Sequence, residues 1–121
     1  MITGVDVVYI HGQSKVRDLP DWYAEVLGLG APCESGHWHE YALPDGSRFA
    51  LDLPEGSGSQ VERQPVMISF RVDDVRRAVL ILRERGVSFH SSEDPIMDVG
   101  PAWVATFRDP EGTWLQISQP K

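Results

Sequence analysis

Apolar and polar positions alternate along two similar series in this chain. In the first, Val5, Val7, Tyr9 and His11 alternate with Asp6, Val8 and Ile10, which predicts a strand over residues 4–10. Both of its rows are largely apolar, so the strand is expected to be buried on two sides. Asp18-Leu19-Pro20-Asp21 then opens a helix, with Asp18 as N-cap and Pro20 tolerated only because it stands in the first turn. Leu19, Trp22, Tyr23, Val26 and Leu27 supply its inner face, and Gly28 or Gly30 ends it.

The second series begins with Met67, Ser69 and Arg71 pointing one way while Ile68, Phe70 and Val72 point the other. Asp73 or Asp74 caps a helix whose Val75, Ala78, Val79 and Leu82 fall at i, i+3, i+4 and i+7. Arg83 and Arg85 complement the dipole at its C-terminus, and Gly86 stops it. The last strand puts Leu115 and Ile117 on one face and Trp114, Gln116 and Ser118 on the other.

The two series form a tandem repeat of strand, helix, strand, strand, acidic-Gly turn, strand. The turns at Pro44-Asp45-Gly46 and Asp109-Pro110-Glu111-Gly112 set the alignment between the halves. Counting from Gly46 and Gly112 places Arg48 opposite Trp114, Ala50 opposite Gln116 and Asp52 opposite Ser118. The predicted fold class is therefore α+β: two tandem βαβββ repeats whose mixed sheets, each covered by a helix on one face, curl into a half-barrel cavity. With 121 residues a single domain is expected, with repeat one over 4–54, a linker over 55–64 and repeat two over 65–119. The run from Pro54 to Ser59 is linker-like by composition.

Charge and cysteine content narrow the setting. A formal charge of −7 disfavours nucleic acid as a partner. No apolar run reaches the length of a membrane span, and the N-terminus lacks the pattern of a secretory signal, so a soluble cytoplasmic protein is expected. Cys33, the one cysteine, can form no internal disulfide and reads as a small core hydrophobe.

Three motifs, WYAEVLGLG, FRVDDVRRAVLILRERGV and FRDPEGTWLQISQ, carry a resemblance in this order. They resemble the vicinal oxygen chelate superfamily, the group of glyoxalase I, extradiol dioxygenases, fosfomycin-resistance enzymes and bleomycin-resistance proteins, over residues 4–119. In metal-dependent members the ligands come from the first and last strands of the repeats, commonly His, His and Glu. The resemblance places those positions at Val7, Met67 and Gln116, with Ala50 as the fourth. None is a strong ligand for a divalent ion, because Val and Ala offer no donor, Met is a soft thioether and Gln is neutral. No metal or other cofactor is expected, and the resemblance points to the metal-free branch typified by bleomycin resistance.

His37 and His39 are the rival ligand pair, since i and i+2 on a strand share a face. The repeat alignment matches them with Trp103 and Ala105, on the face turned from the cavity, so they read as strand histidines. His90 reads as scaffold after a helix terminus. The inward positions are instead Tyr9 and His11, Trp38 and Glu40, Arg48 and Asp52 in the first repeat, and Ser69, Arg71, Trp114 and Gln116 in the second. Two tryptophans near a carboxylate suit a flat, cationic ligand.

No motif sets a nucleophile on a strained turn beside a base, so no catalytic residue is assigned. Three readings remain open: a metal-free protein that binds a small, planar aromatic molecule; a metal-dependent lyase, isomerase or dioxygenase of the glyoxalase type; and a scaffold or regulatory dimer with a vestigial pocket. The small-molecule reading leads. A homodimer is expected from the open sheet edges.

Overall fold

The structure, a computed structural model, describes residues 1–12, 18–54, 64–91 and 93–121. The expected linker therefore lies outside the described residues except for Gln64. The chain divides into two compact units, Met1–Gln60 and Val61–Lys121, each holding one repeat. The fold is α+β, with two βαβββ modules that each form a mixed four-stranded sheet.

The first module runs β1 (Val8–His11), α1 (Leu19–Glu25), β2 (Cys33–Ser35), β3 (Trp38–Ala42) and β4 (Arg48–Asp52). Its sheet has the order β1-β4-β3-β2, with β1 parallel to β4 and the other neighbours antiparallel. Helix α1 begins after Asp18 as expected, but the Asp18 side chain makes no capping hydrogen bond. Leu19 and Tyr23 are its buried residues, and the Tyr23 ring packs on Phe49 at 5.2 Å and on Tyr41 at 6.4 Å between centroids. The Tyr41 hydroxyl donates to the Pro20 carbonyl at 2.6 Å and ties the sheet to the helix. Burial, with the nearby charges of Asp21 and Glu34, raises the pKa of this hydroxyl well above its usual value, so it stays a donor.

The second module runs β5 (Ile68–Arg71), α2 (Val75–Glu84), β6 (Met97–Asp98), β7 (Ala102–Arg108) and β8 (Trp114–Pro120), in the order β5-β8-β7-β6. Asp74 is the N-cap of α2: its carboxylate accepts from the Arg77 N–H at 3.0 Å, while Gln119 Oε1, reaching from the sheet, accepts from the Val75 N–H at 2.9 Å. Two of the helix's orphan donors are thus satisfied, the Asp74 cap alone being worth about 1 kcal/mol. Val75, Val79 and Leu82 seal the helix side of the sheet, where Leu115, Ile117, Ala105 and Phe107 are buried.

The registers of the two modules correspond. Tyr9 lies opposite Ala50 as Ser69 lies opposite Gln116. Ser69 is sixty positions after Tyr9, whereas Gln116 is sixty-six after Ala50, so the second repeat carries its extra length between its first and last strands.

Two expectations change. The first strand was expected to be buried on both sides, yet β1 is an edge strand paired only with β4, and Val8 and Tyr9 remain 40% and 52% exposed. Cys33 is exposed on the opposite edge strand β2 rather than in the core. Its apolar character alone gave no way to separate an edge from a centre.

Asp109 shows why the second turn holds its register. Although only 4% exposed, its carboxylate accepts from the backbone N–H groups of Glu111 at 2.8 Å and Thr113 at 2.9 Å, while Gly112 takes φ +93°. Asp109→Ala leaves both donors without that acceptor, and chemical denaturation should read a loss of about 2–3 kcal/mol. Asp109→Asn, which keeps an acceptor oxygen, should lose less; equal losses would show that the hydrogen bonds are not the cause.

Candidate functional site

Alternation along the strands leaves one face of each sheet without a helix. In the first module Tyr41, Phe49 and Leu51 turn toward α1, so Trp38, Glu40, Arg48, Ala50 and Asp52 turn to the open side. Parallel pairing with β4 brings Tyr9 beside Ala50 and His11 beside Asp52 on that same side.

These side chains are joined into two groups. Trp38 Nε1–H donates to Glu40 Oε1 at 3.1 Å, and the Tyr9 ring meets the Trp38 ring edge-on at 5.0 Å. Arg48 donates through Nη1 to Glu40 Oε2 at 3.1 Å and through Nη2 to Asp6 Oδ2 at 2.7 Å. At the other end, Asp52 holds two imidazoles: its Oδ2 lies 3.2 Å from His11 Nδ1 and its Oδ1 lies 2.5 Å from His37 Nδ1. A carboxylate only accepts, so the hydrogen bond to Asp52 assigns a proton to Nδ1 of His37. With neutral imidazoles, three carboxylates (Asp6, Glu40, Asp52) face one guanidinium (Arg48), and the group carries two excess negative charges.

The open face of the second module has the opposite character. Ser69 stands beside Gln116 and Arg71 beside Ser118, and Gln116 Nε2 donates to Thr106 Oγ1 at a long 3.4 Å. Arg108 and Trp114 are cross-strand partners, and the guanidinium carbon of Arg108 sits 3.9 Å from the centroid of the Trp114 ring. The His90 ring meets the same indole at 5.4 Å and 84°. The Gln64 side chain clamps the Trp114 backbone, accepting from its N–H at 2.8 Å and donating to its carbonyl at 2.7 Å. Alternation turns Asp98, the one carboxylate in β5–β8, to the helix side with Trp103.

All ten residues singled out from the sequence lie on these open faces, six on the first sheet and four on the second. Three details differ from expectation. His37 is not on the helix side with His39, because the strand starts only at Trp38 and Gly36, at φ +60°, turns the chain so that His37 reaches Asp52. Glu40 is not an isolated counter-charge, since each of its oxygens already accepts a hydrogen bond. Trp114 is not a bare platform, because Arg108 covers one of its faces. Asp6, His37, His90 and Arg108 were missed as participants. The Ser35-Gly36 pair was the signal for His37, and the hairpin register around Asp109–Thr113 was the signal for Arg108.

This architecture of two four-stranded sheets, each with a helix on one side, is shared with known proteins. The model of the Glyoxalase/Bleomycin resistance protein/Dioxygenase superfamily matches residues 15–117. The chain belongs to that superfamily. Among solved structures it is similar to TnmS3, an antibiotic-binding protein from a Streptomyces species, with TM-score 0.70 and 24% identity over 99% of this chain and 98% of that one. A glyoxylase/bleomycin resistance protein/dioxygenase domain from a Frankia species gives TM-score 0.73 and 21% identity, with both chains fully covered. A glyoxalase/dioxygenase from Nostoc punctiforme gives TM-score 0.75 and 18% identity over 98% of this chain and 91% of that one. No curated protein matches. No helix among the described residues is long and apolar enough to cross a membrane.

The superfamily's metal positions can be tested on these residues. Ala50 is fully buried between its neighbours Tyr9 and Glu40, Val7 precedes β1, Met67 presents an exposed thioether and the Gln116 amide is neutral. That donor set does not fit a hard or borderline divalent ion. Among the described residues no group of three or more His, Cys, Asp or Glu is arranged to hold one.

Proposed function

We propose that this member of the superfamily binds a small, planar aromatic molecule in the cytoplasm, without a metal, on the open faces of its sheets. The observation that carries this reading is the Trp38 indole. It is fixed by its hydrogen bond to Glu40 and by the Tyr9 ring, on a face where the carboxylates of Asp6, Glu40 and Asp52 meet one guanidinium, that of Arg48. A flat cation gains stacking from the rings and attraction from the surplus carboxylate charge, which survives even though Glu40 is already hydrogen-bonded. The antibiotic-binding description of TnmS3 supports a small organic ligand as the cargo of this fold. The metal-dependent alternative lacks the donors that its chemistry needs, as Val7, Ala50, Met67 and Gln116 show.

We also propose a homodimer. Strands β1 and β6 are sheet edges that expose Val8, Tyr9 and Met97, and exposed edges are normally covered by pairing or association.

Titration with 1-naphthylmethylammonium should show saturable binding, and Trp38→Ala should weaken it by about 1–3 kcal/mol, the range from a cation–π contact to a buried aromatic anchor. Trp103→Ala, on the helix side, should lower stability and leave binding alone. Equal affinity in Trp38→Ala would sink the reading. Metal analysis after dialysis against Zn²⁺, Ni²⁺, Mn²⁺ or Fe²⁺ should give well under one ion per chain, whereas one retained ion would restore the enzyme reading. Sedimentation at tens of micromolar should give the mass of two chains, and a monomer there would refute the dimer.

A further inference from the structure

Arg108 rests on an aromatic ring and has no ion-pair partner among the described residues. Arg48 is paired with Asp6 and Glu40, Arg76 with Asp94 and Lys121 with Asp98. Among the described residues no carboxylate lies within ion-pair reach of Arg108, although the chain carries eighteen acidic residues against eleven basic ones. Its guanidinium instead rests over the Trp114 ring. Such stacking engages the face of the guanidinium and leaves the in-plane N–H donors for a second partner.

The surroundings hold that arrangement in place. Trp114 is fixed at its backbone by both ends of the Gln64 amide and at its ring by the His90 imidazole. Arg108 is brought to it by the β7–β8 register, in which the two residues are direct cross-strand partners beside the rigid Asp109 turn. The Thr106 hydroxyl and Gln116 amide follow on the same face, and no acidic residue of β5–β8 shares it. A guanidinium already ordered on an aromatic ring, with no carboxylate paired to it among the described residues, is organised for an oxyanion at small ordering cost.

We infer that Arg108 and Trp114, with His90 beside them, form a subsite for an oxyanion attached to a flat aromatic ring, the carboxylate or phosphate being held by the Arg108 fork. This rests on the reading above in taking the open face as the ligand's, and adds to it the functional group recognised. It also assigns the second module a preference opposite in sign to that of the first.

The test compares 1-naphthoate, 1-naphthyl phosphate and uncharged 1-naphthalenemethanol by calorimetric titration against the full chain, with 1-naphthylmethylammonium as a separate arm. The anionic probes should bind more tightly than the alcohol, and the tighter of the two identifies carboxylate or phosphate as the group held. Arg108→Gln should weaken the anionic probes by about tenfold or more, the loss of a charge-assisted hydrogen bond. It should leave naphthylmethylammonium binding unchanged. Arg108→Lys, which keeps the charge and loses the fork, should recover only part of the affinity. The inference is overturned if the alcohol binds as well as the anions, or if Arg108→Gln, folded by circular dichroism, binds them as the parent does. If the anions behave as stated while naphthylmethylammonium fails to bind, the Trp38 reading falls and the Arg108 subsite stands.

Discussion

One helix covers one face of each four-stranded sheet, and the chemistry of the chain depends on the face left over. Strand alternation forces the division: every residue that packs on α1 or α2 commits its two neighbours to the other side. Tyr41, Phe49 and Leu51 on one sheet, and Phe107, Leu115 and Ile117 on the other, are buried to below 4% exposure and fix the parity of their strands. Trp38, Glu40, Arg48 and Asp52, or Trp114 and Gln116, have then only one direction in which to point. A slip of a single residue would send the charged set into the helix contact, which is why the turn carboxylate of Asp109 matters far from any ligand.

The two modules share a topology and differ in what they place on the open side. On the first, carboxylates outnumber cations and two aromatic rings meet; on the second, arginines stand with hydroxyl and amide groups and no strand carboxylate. The frame is common to both, and the contrast lies at equivalent positions. Tyr9 matches Ser69, and Arg48 matches Trp114. Val7, Ala50, Met67 and Gln116 carry no charge, and neighbouring positions carry the polar chemistry.

Much of this was legible in the sequence because it depends on period and turn residues. The repeat, both helices, the α2 cap and the inward row on every central strand follow from alternation together with Asp45-Gly46 and Asp109–Gly112. What failed depends on facts that a period does not carry. Edge or centre is decided by pairing, so β1 was expected to be buried and Cys33 was assigned to the core. His37 escaped its parity because a glycine turn, not a strand, positions it. The occupancy of Glu40 and the cover over Trp114 come from long side chains, Arg48 and Arg108, whose reach spans neighbouring strands and is invisible to a pattern of alternating positions.

The division between open and sealed faces is best tested on the indole N–H signals of the four tryptophans. A ¹H–¹⁵N spectrum recorded with and without 1-naphthylmethylammonium should move the Trp38 signal, whose N–H donates to Glu40 on the open face. The signals of Trp22, on the helix, and Trp103, on the helix side of its sheet, should stay in place. Movement of Trp22 or Trp103 with Trp38 unchanged would contradict the assignment of the open face as the ligand's.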